Sequence, residues 1–415
     1  MILNENNEAR LLNIIRWGNN PFKKFVSTSE IKEELDLVKS RDDLINTIRN
    51  IVKKNSNFIL PIIGDVGSGK THLYWALKNS LYYYNTFYIS LESVYKKFFY
   101  NIYSEFIETL ELAPLKFVVN QLCENWGALE RKYGFFHVVN IEKVKQTAFE
   151  QLSVKYTEIE PQTLKDAITG IATHQLDPFK KIEAERWLLG KLMDAKELST
   201  LNLSHDLHKG KNAYILLRIL IENSKLGTIL FIDDFERIIR LTKEQDDSPE
   251  EVFDPSWLYG TEMTPNDIVS EKVFSKIVQL QKIQGLRVII TLKSEEALDQ
   301  IKKKYHEIDP DLLTLIKEPI FLRSFNEDDI FELYKNTMDN FFNIIECHEF
   351  TKTFEENYFP LNNTILKNIF ERTQGNPRAI IKILIKIFNE IIEDEEKLEI
   401  ILKKYEIYDK DSAIE

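Results

Sequence analysis

The segment Gly64-Asp65-Val66-Gly67-Ser68-Gly69-Lys70-Thr71 carries residue types at a spacing that suits one chemistry, the gripping of a polyphosphate. Gly64, Gly67 and Gly69 allow backbone conformations that a Cβ resists. Successive N–H groups, those of Asp65, Val66 and Ser68 among them, can then turn toward phosphate oxygens. Lys70 is spaced to reach the β- and γ-phosphates, and the Thr71 hydroxyl to ligate Mg²⁺. His72 opens a helical pattern, His72–Leu81, whose N-terminus faces the anion. A plain glycine-rich turn is the competing reading. The apolar run Phe58–Ile63 before the loop and the helical pattern after it favour the phosphate loop.

Further constellations lie downstream. Gly227–Glu236, GTILFIDDFE, sets the apolar run Ile229 to Ile232 before two acids. Such a run suits a strand buried on both faces of a parallel sheet, and its acids then stand at the C-terminal end, where α/β sheets hold ligands. Asp233 is the candidate to organise Mg²⁺. Asp234, with Glu236 as the second candidate, is placed to polarise an attacking water. A solvated acidic turn is the alternative, and the phosphate loop upstream weighs against it. Leu286–Leu292 reads as another buried strand, ending near Thr291, Lys293 and Ser294, where a polar side chain could sense a γ-phosphate. In Gln374–Ala379, Gly375 can end one helix, Asn376 cap the next and Pro377 fill its first turn. Arg378 then projects from a helix start, placed to contact a phosphate.

These groups need a sheet and helices to hold them. Val38–Val52 has helical spacing through Leu44, Ile45, Ile48, Ile51 and Val52, and Thr86–Leu91 reads as a short strand. Ser93–Leu112 reads as a helix whose Tyr95, Phe98, Phe99, Tyr103 and Phe106 form a buried face, not a base-stacking platform. Pro114–Ser204 is mostly helical and delays the acid-ended strand far beyond what one crossover helix needs, so it reads as an insertion. Lys211–Asn223 and Val269–Gln284 are helical, Leu241–Pro265 is a loop, Pro319–Leu322 a last short strand, and the rest is helical. Trp17, Pro21, Phe22 and Phe25 read as a small apolar knot.

A length of 415 residues is enough for two or three domains. Hydrophobic residues at 43% with 29% charged mark a soluble globular chain. Cys123 and Cys347 match no metal or redox spacing, so a reduced cytoplasmic setting is expected. No run is apolar enough to span a bilayer and no signal pattern opens the chain, so no membrane association is expected. The net charge of −12 argues against a general nucleic-acid coat and leaves room for a local basic groove.

The helix before the loop, GDVGSGKT, FIDDFE, the VIIT strand and the helical region opening with GNPRA occur in an order that resembles an AAA+ ATPase. The origin-recognition/initiator branch, with its relatives among the STAND ATPases, is the most similar. Within Glu183–Glu236, the Trp-Leu-x-Gly element at Trp187–Gly190, the AYILL helix and the Gly before the strand are similar to ATP-binding proteins of bacteriophage-exclusion (BREX) systems. The resemblance implies an α/β P-loop NTPase with a parallel β-sheet core, a helical insertion between the two nucleotide motifs and a C-terminal helical lid. The expected divisions are an N-terminal segment 1–36, core parts 37–92 and 211–324 around the insertion 93–210, and a lid 325–415. It further implies ATP and Mg²⁺ as ligands, Thr291 and Arg378 as phosphate sensors, and homo-oligomers, DNA or proteins of a multi-component system as partners. A STAND-type signalling ATPase with a protein partner and a transposition-type ATPase regulator are the alternatives.

Departures from the pattern sharpen these expectations. Asp233-Asp234 stands where many relatives carry Asp-Glu, and the shorter base reaches less far, so hydrolysis is expected to be slow. Thr291 replaces the usual Asn. No Arg lies between Val288 and Leu322, where an arginine finger commonly sits; Lys303, Lys304, Lys317 and Arg323 are the substitutes at hand. The stretch after Arg378 is too short for a winged-helix module, so DNA contact is expected from the insertion or from assembled subunits.

Overall fold

The computed structural model describes residues 5–23, 38–91, 97–128, 131–133, 136–138, 140–240, 265–347, 358–393 and 398–406. Tyr95, Phe25 and all of the Leu241–Pro265 segment except Pro265 lie outside the described residues. Helices α1 (Glu5–Trp17) and α2 (Lys39–Lys54) precede β1 (Phe58–Ile63), α3 (Lys70–Ser80) and β2 (Tyr84–Ser90). Next come α4 (Phe98–Leu110), α5 (Leu112–Asn125), the short strands β3 (Arg131–Tyr133) and β4 (Phe136–Val138), and α6 (Ile141–Lys155). They lead to α7 (Pro161–Leu176), α8 (Lys181–Leu188), α9 (Ala195–Leu201), α10 (Gly210–Asn223) and β5 (Gly227–Asp233). After a 3-10 helix over Phe235–Arg240 follow α11 (Pro265–Gln281), β6 (Leu286–Leu292), α12 (Glu295–Ile308) and β7 (Ile320–Phe321). Helices α13 (Glu327–Ile344), α14 (Asn363–Thr373), α15 (Pro377–Glu393) and α16 (Leu398–Glu406) end the described chain.

The protein is α/β, with an all-parallel sheet of five strands in the order β2-β5-β6-β1-β7. The apolar runs explain the arrangement. Every residue of β1 is buried, as are Thr228–Asp233 of β5 and all of β6 but Arg287, which is what a strand covered on both faces requires. The register pairs Ser90 with Asp233 at the C-terminal end of β2 and β5.

The chain divides into two compact units. One comprises Met1–Lys53, Ile63–Ser80 and Phe321–Glu415; the other comprises Lys54–Ile62 and Leu81–Ile320. The first unit therefore holds the phosphate-loop segment together with the C-terminal helices. Its core joins α1 to α13–α16 through Leu11, Ile15, Tyr334, Phe342, Ile365 and Leu384. Phe22 is buried in that core, with its ring centroid 5.9 Å from that of Tyr334 and 5.2 Å from that of Phe388. Trp17 is 93% exposed, so the local apolar knot read around it does not form; Phe22 packs on distant helices instead.

The second unit holds most of the sheet and the helices between β2 and β5. Phe98, Phe99, Tyr103 and Phe106 lie buried along one face of α4, beside β2. The insertion is not wholly helical, since β3 and β4 form an antiparallel pair. Its Trp187–Gly190 element is a packing device. The Trp187 ring is fully buried against Gly170 of α7, and its indole N–H donates to His205 O at 3.1 Å. Tyr103 and Tyr100 of α4 donate their hydroxyls to Leu188 O at 2.5 Å and Gly190 O at 3.0 Å, tying the insertion to the helix beside the sheet. No helix among the described residues is long and apolar enough to cross a membrane.

A Cβ at Gly170 would lie 2.3 Å from the Trp187 ring, closer than packed atoms tolerate. Gly170→Ala is expected to cost about 1–3 kcal/mol through overpacking, read as a lower urea midpoint with an unchanged slope.

Candidate functional site

In the first unit, the Gly64–Thr71 loop joins the end of β1 to the start of α3. Gly67 and Gly69 adopt φ of +84° and +100°, the left-handed region that explains glycine at both positions. The Ser68 N–H closes a turn onto Asp65 O at 3.2 Å, and the Leu73 N–H makes a helical bond to Gly69 O at 2.9 Å. The backbone from Gly69 to His72 thus forms the helix start, where amides point out along the axis. Asp65, Val66 and Thr71 are exposed, Gly69 and His72 are half-buried, and Lys70 is only 8% exposed.

The Lys70 ammonium bends back into the loop and donates to Gly64 O at 2.7 Å and Asp65 O at 3.1 Å. No carboxylate pairs with it among the described residues. A buried cation ringed only by carbonyl dipoles is poorly compensated, so the centre of the loop favours an anion. The Ser68 hydroxyl, also buried, has no hydrogen-bond partner among the described residues. A Cβ on Gly64 would come within 2.7 Å of it and within 2.9 Å of Leu322 O. The loop is therefore tight outside and polar inside.

The Gln374–Arg378 turn docks on this loop. Helix α14 ends at Thr373, and Gln374 and Gly375 take φ of +49° and +72°, so the reversal begins one residue before the glycine. Asn376 caps α15 by accepting the Ala379 N–H at 3.2 Å. Its amide nitrogen donates to Val66 O at 2.9 Å, and the Arg378 N–H donates to Gly67 O at 3.1 Å. Pro377, at the first helical position, brings no N–H that would go unbonded. Gly67 must be glycine for a second reason. A Cβ there would lie 2.6 Å from Asn376 Oδ1 and 3.0 Å from Arg378 Cβ. The side chain of Arg378, expected to contact phosphate, is exposed, while its backbone makes the contact with the loop. The Asn376 bond to the loop is a contact that its reading as a cap did not disclose.

In the second unit, the acids end β5. Asp233 is 8% exposed, and its carboxylate is fixed from both sides. Tyr88 of β2 donates to Oδ2 at 2.9 Å; the Thr291 hydroxyl from β6 donates to Oδ1 at 2.5 Å. The Asp234 N–H reaches Oδ1 at 3.1 Å and Thr291 Oγ1 at 2.9 Å. Thr291, read as a phosphate sensor, here bonds the acid beside it and the next backbone amide. Asp234 sits at φ +47°, a conformation a non-glycine residue holds only where neighbours enforce it, and its carboxylate lies 3.3 Å from the Arg237 guanidinium. Glu236 lies 3.6 Å from the Lys293 ammonium, and Ser294 caps α12 through the Ala297 N–H at 3.3 Å. Tyr88 was not singled out from the sequence, because in a strand of alternating residues nothing local marks one tyrosine as the partner of an acid on the neighbouring strand.

No protein-family profile matches the chain, and no curated protein shows detectable sequence similarity to it.

The Thr291 hydroxyl serves the buried Asp233 carboxylate and the half-buried Asp234 N–H at once. Thr291→Val is expected to cost about 1–3 kcal/mol by leaving Asp233 and the Asp234 N–H short of partners. The measurement is equilibrium unfolding, and a variant as stable as the parent would show that neither bond matters to the fold.

Proposed function

We propose that the chain is an ATP-binding and slowly ATP-hydrolysing switch of the AAA+ type. The observation that carries this reading is the buried Lys70 ammonium, bonded among the described residues only to loop carbonyls, within a left-handed glycine loop at a helix start. The parallel sheet supports it as well, with β6 lying between β1 and β5 and Thr291 on β6 bonded to the β5 acid.

In this reading the loop amides and Lys70 bind the β- and γ-phosphates. Mg²⁺ is commonly held by one or two protein oxygens together with phosphates and water; the Thr71 hydroxyl of the first unit and the Asp233 carboxylate of the second are each of a donor type that would hold it. When bound, it neutralises charge developing on the phosphates. Tyr88 and Thr291 fix the Asp233 carboxylate plane, which would hold its donor atoms in place for the ion. Asp234 accepts the proton of the attacking water, with Glu236 as the alternative base. Arg378 stabilises phosphate charge from the turn already docked on the loop, and loss of the γ-phosphate resets that turn.

Action on DNA within a defence or genome-maintenance complex, and assembly into homo-oligomers, belong to this proposal on the strength of the motif order alone. The net charge of −12 favours a second reading, a STAND-type signalling switch with a protein partner. ATPase rates with and without duplex DNA at two salt concentrations separate the two. DNA stimulation that falls with salt supports the first, and a low rate indifferent to DNA supports the second.

Lys70→Ala is expected to abolish ATP binding by calorimetry, and an unchanged affinity would remove the reading. Asp234→Asn is expected to bind ATP normally and lose turnover at least a hundred-fold, about the contribution of a general base. Normal turnover in that variant transfers the role to Glu236.

A further inference from the structure

We propose that Arg41 is a positioning residue of the phosphate loop, which holds the loop's carbonyl side and links phosphate binding to the turn at Gln374–Arg378. The inference rests on the nucleotide reading above. It begins with three consecutive carbonyls. Val66 O accepts from Asn376, Gly67 O from the Arg378 N–H, and Ser68 O from Arg41 Nη2 at 3.3 Å. A peptide unit is planar and trans, so each carbonyl points away from the N–H of the following residue. Donors gripping these carbonyls from outside therefore turn the N–H groups of Gly67, Ser68 and Gly69 to the opposite side, where the Ser68 N–H bonds Asp65 O at 3.2 Å. Asn376 and Arg378 hold two of the three planes from α15, and Arg41, in the first turn of α2, holds the third.

Arg41 also reaches back to the turn. The same Nη2 donates to Arg323 O at 2.6 Å, and the guanidinium lies 5.0 Å from the Phe325 ring centroid. The Phe325 N–H donates to Gly375 O at 2.8 Å, and a Cβ on Gly375 would lie 2.1 Å from Phe325 O. Leu322 N–H bonds Ile63 O at 2.7 Å, fixing this linker to the residue before the loop. The contacts close a ring running from Arg41 through the loop, the turn and Phe325, and back to Arg41. Burial lowers the guanidinium's pKa and the Asp329 charge opposes that; an arginine stays charged in either case. A phosphate that pulls on the inner amides rotates whole peptide planes, and the outer donors must follow. Arg41 and the turn thus move with the same planes.

Geometry also explains why the residue is arginine. Nη2 donates to two carbonyls while the flat guanidinium lies over a ring; a lysine ammonium can bond two carbonyls, as Lys70 does, but has no planar face to hold that geometry against the ring. The test uses the full-length chain with Arg41→Ala, Arg41→Lys and, as a milder change to the same ring, Phe325→Leu. ATP affinity is measured by calorimetry, and hydrogen exchange is followed at residues 374–380 with and without saturating ATP. In the parent, ATP is expected to slow exchange at the Arg378 and Ala379 amides. Arg41→Ala and Arg41→Lys are both expected to weaken ATP binding about ten-fold, the scale of one charged hydrogen bond, and to lose the ATP-dependent protection even at saturation. Phe325→Leu is expected to keep the affinity within about three-fold and to lose part of the protection, so a fold defect in the arginine variants does not decide the matter. Parent-like affinity and protection in Arg41→Lys, or parent-like protection in Phe325→Leu, overturns the inference alone. A parent that binds no ATP overturns the nucleotide reading and the inference with it.

Discussion

A peptide plane carries a carbonyl on one edge and the next residue's amide on the other, and the Gly64–Thr71 loop is built around that constraint. A loop can offer amides to an anion only if its carbonyls find donors on the far side, since an unbonded buried carbonyl costs about as much as a lost hydrogen bond. Here Asn376, the Arg378 N–H and Arg41 supply those donors to Val66, Gly67 and Ser68, whereas Lys70 bonds Gly64 O and Asp65 O from within the loop. The α1 and α13–α16 core follows from the same need. It holds α15 rigidly enough for a turn at its start to serve as a clamp, burying Ile380, Leu384, Ile387, Phe388 and Ile391 on one face.

The acids of the second unit obey a different rule. A carboxylate at a strand end needs donors to fix its plane, and two neighbouring strands provide them. Parallel register brings β2 and β6 to either side of β5, so Tyr88 and Thr291 approach Asp233 from opposite sides. The Thr291 hydroxyl also accepts the Asp234 N–H, which helps to hold Asp234 in a left-handed conformation that a strand would not adopt. Strain at this residue is sustained by the sheet around it. The insertion, meanwhile, anchors its Trp187–Gly190 element through packing and two tyrosine hydroxyls, which accounts for those residues without any ligand.

Much of this was legible in the sequence wherever the signal is local. Phe58–Ile63 and Leu286–Leu292 are apolar runs of strand length, and both are strands with those bounds. Asn376 and Pro377 sit at the cap and first position that their chemistry favours. Contacts chosen by the fold were not legible. Asn376 and Val66 are separated by 310 positions, and nothing near either residue announces the other. Nothing near Arg41 in the sequence announces its bonds to Ser68 O and Arg323 O either. Trp17 and Phe22 show the same limit in reverse, since closeness in sequence suggested a shared cluster, whereas one is exposed and the other packs with Tyr334 and Phe388. The hairpin at Arg131–Tyr133 and Phe136–Val138 was hidden because three-residue strands carry too few positions for a period of two to stand out from a helical background.

Arg378 joins these lines of argument. Its backbone N–H is one of the amides that every helix start leaves without a helical acceptor, and the turn gives it to Gly67 O. Docking therefore costs the residue nothing of its side chain, which stays exposed. Position and charge are separate properties of one residue. Any residue with an N–H could replace the first, and only a cation the second. The loop side of the contact has no such freedom. Gly67 meets Asn376 and Arg378 where a Cβ would stand, and it does so at φ +84°, so sterics and backbone conformation both demand glycine there. The specificity of the clamp thus resides in the loop, and the chemistry it brings resides in the turn.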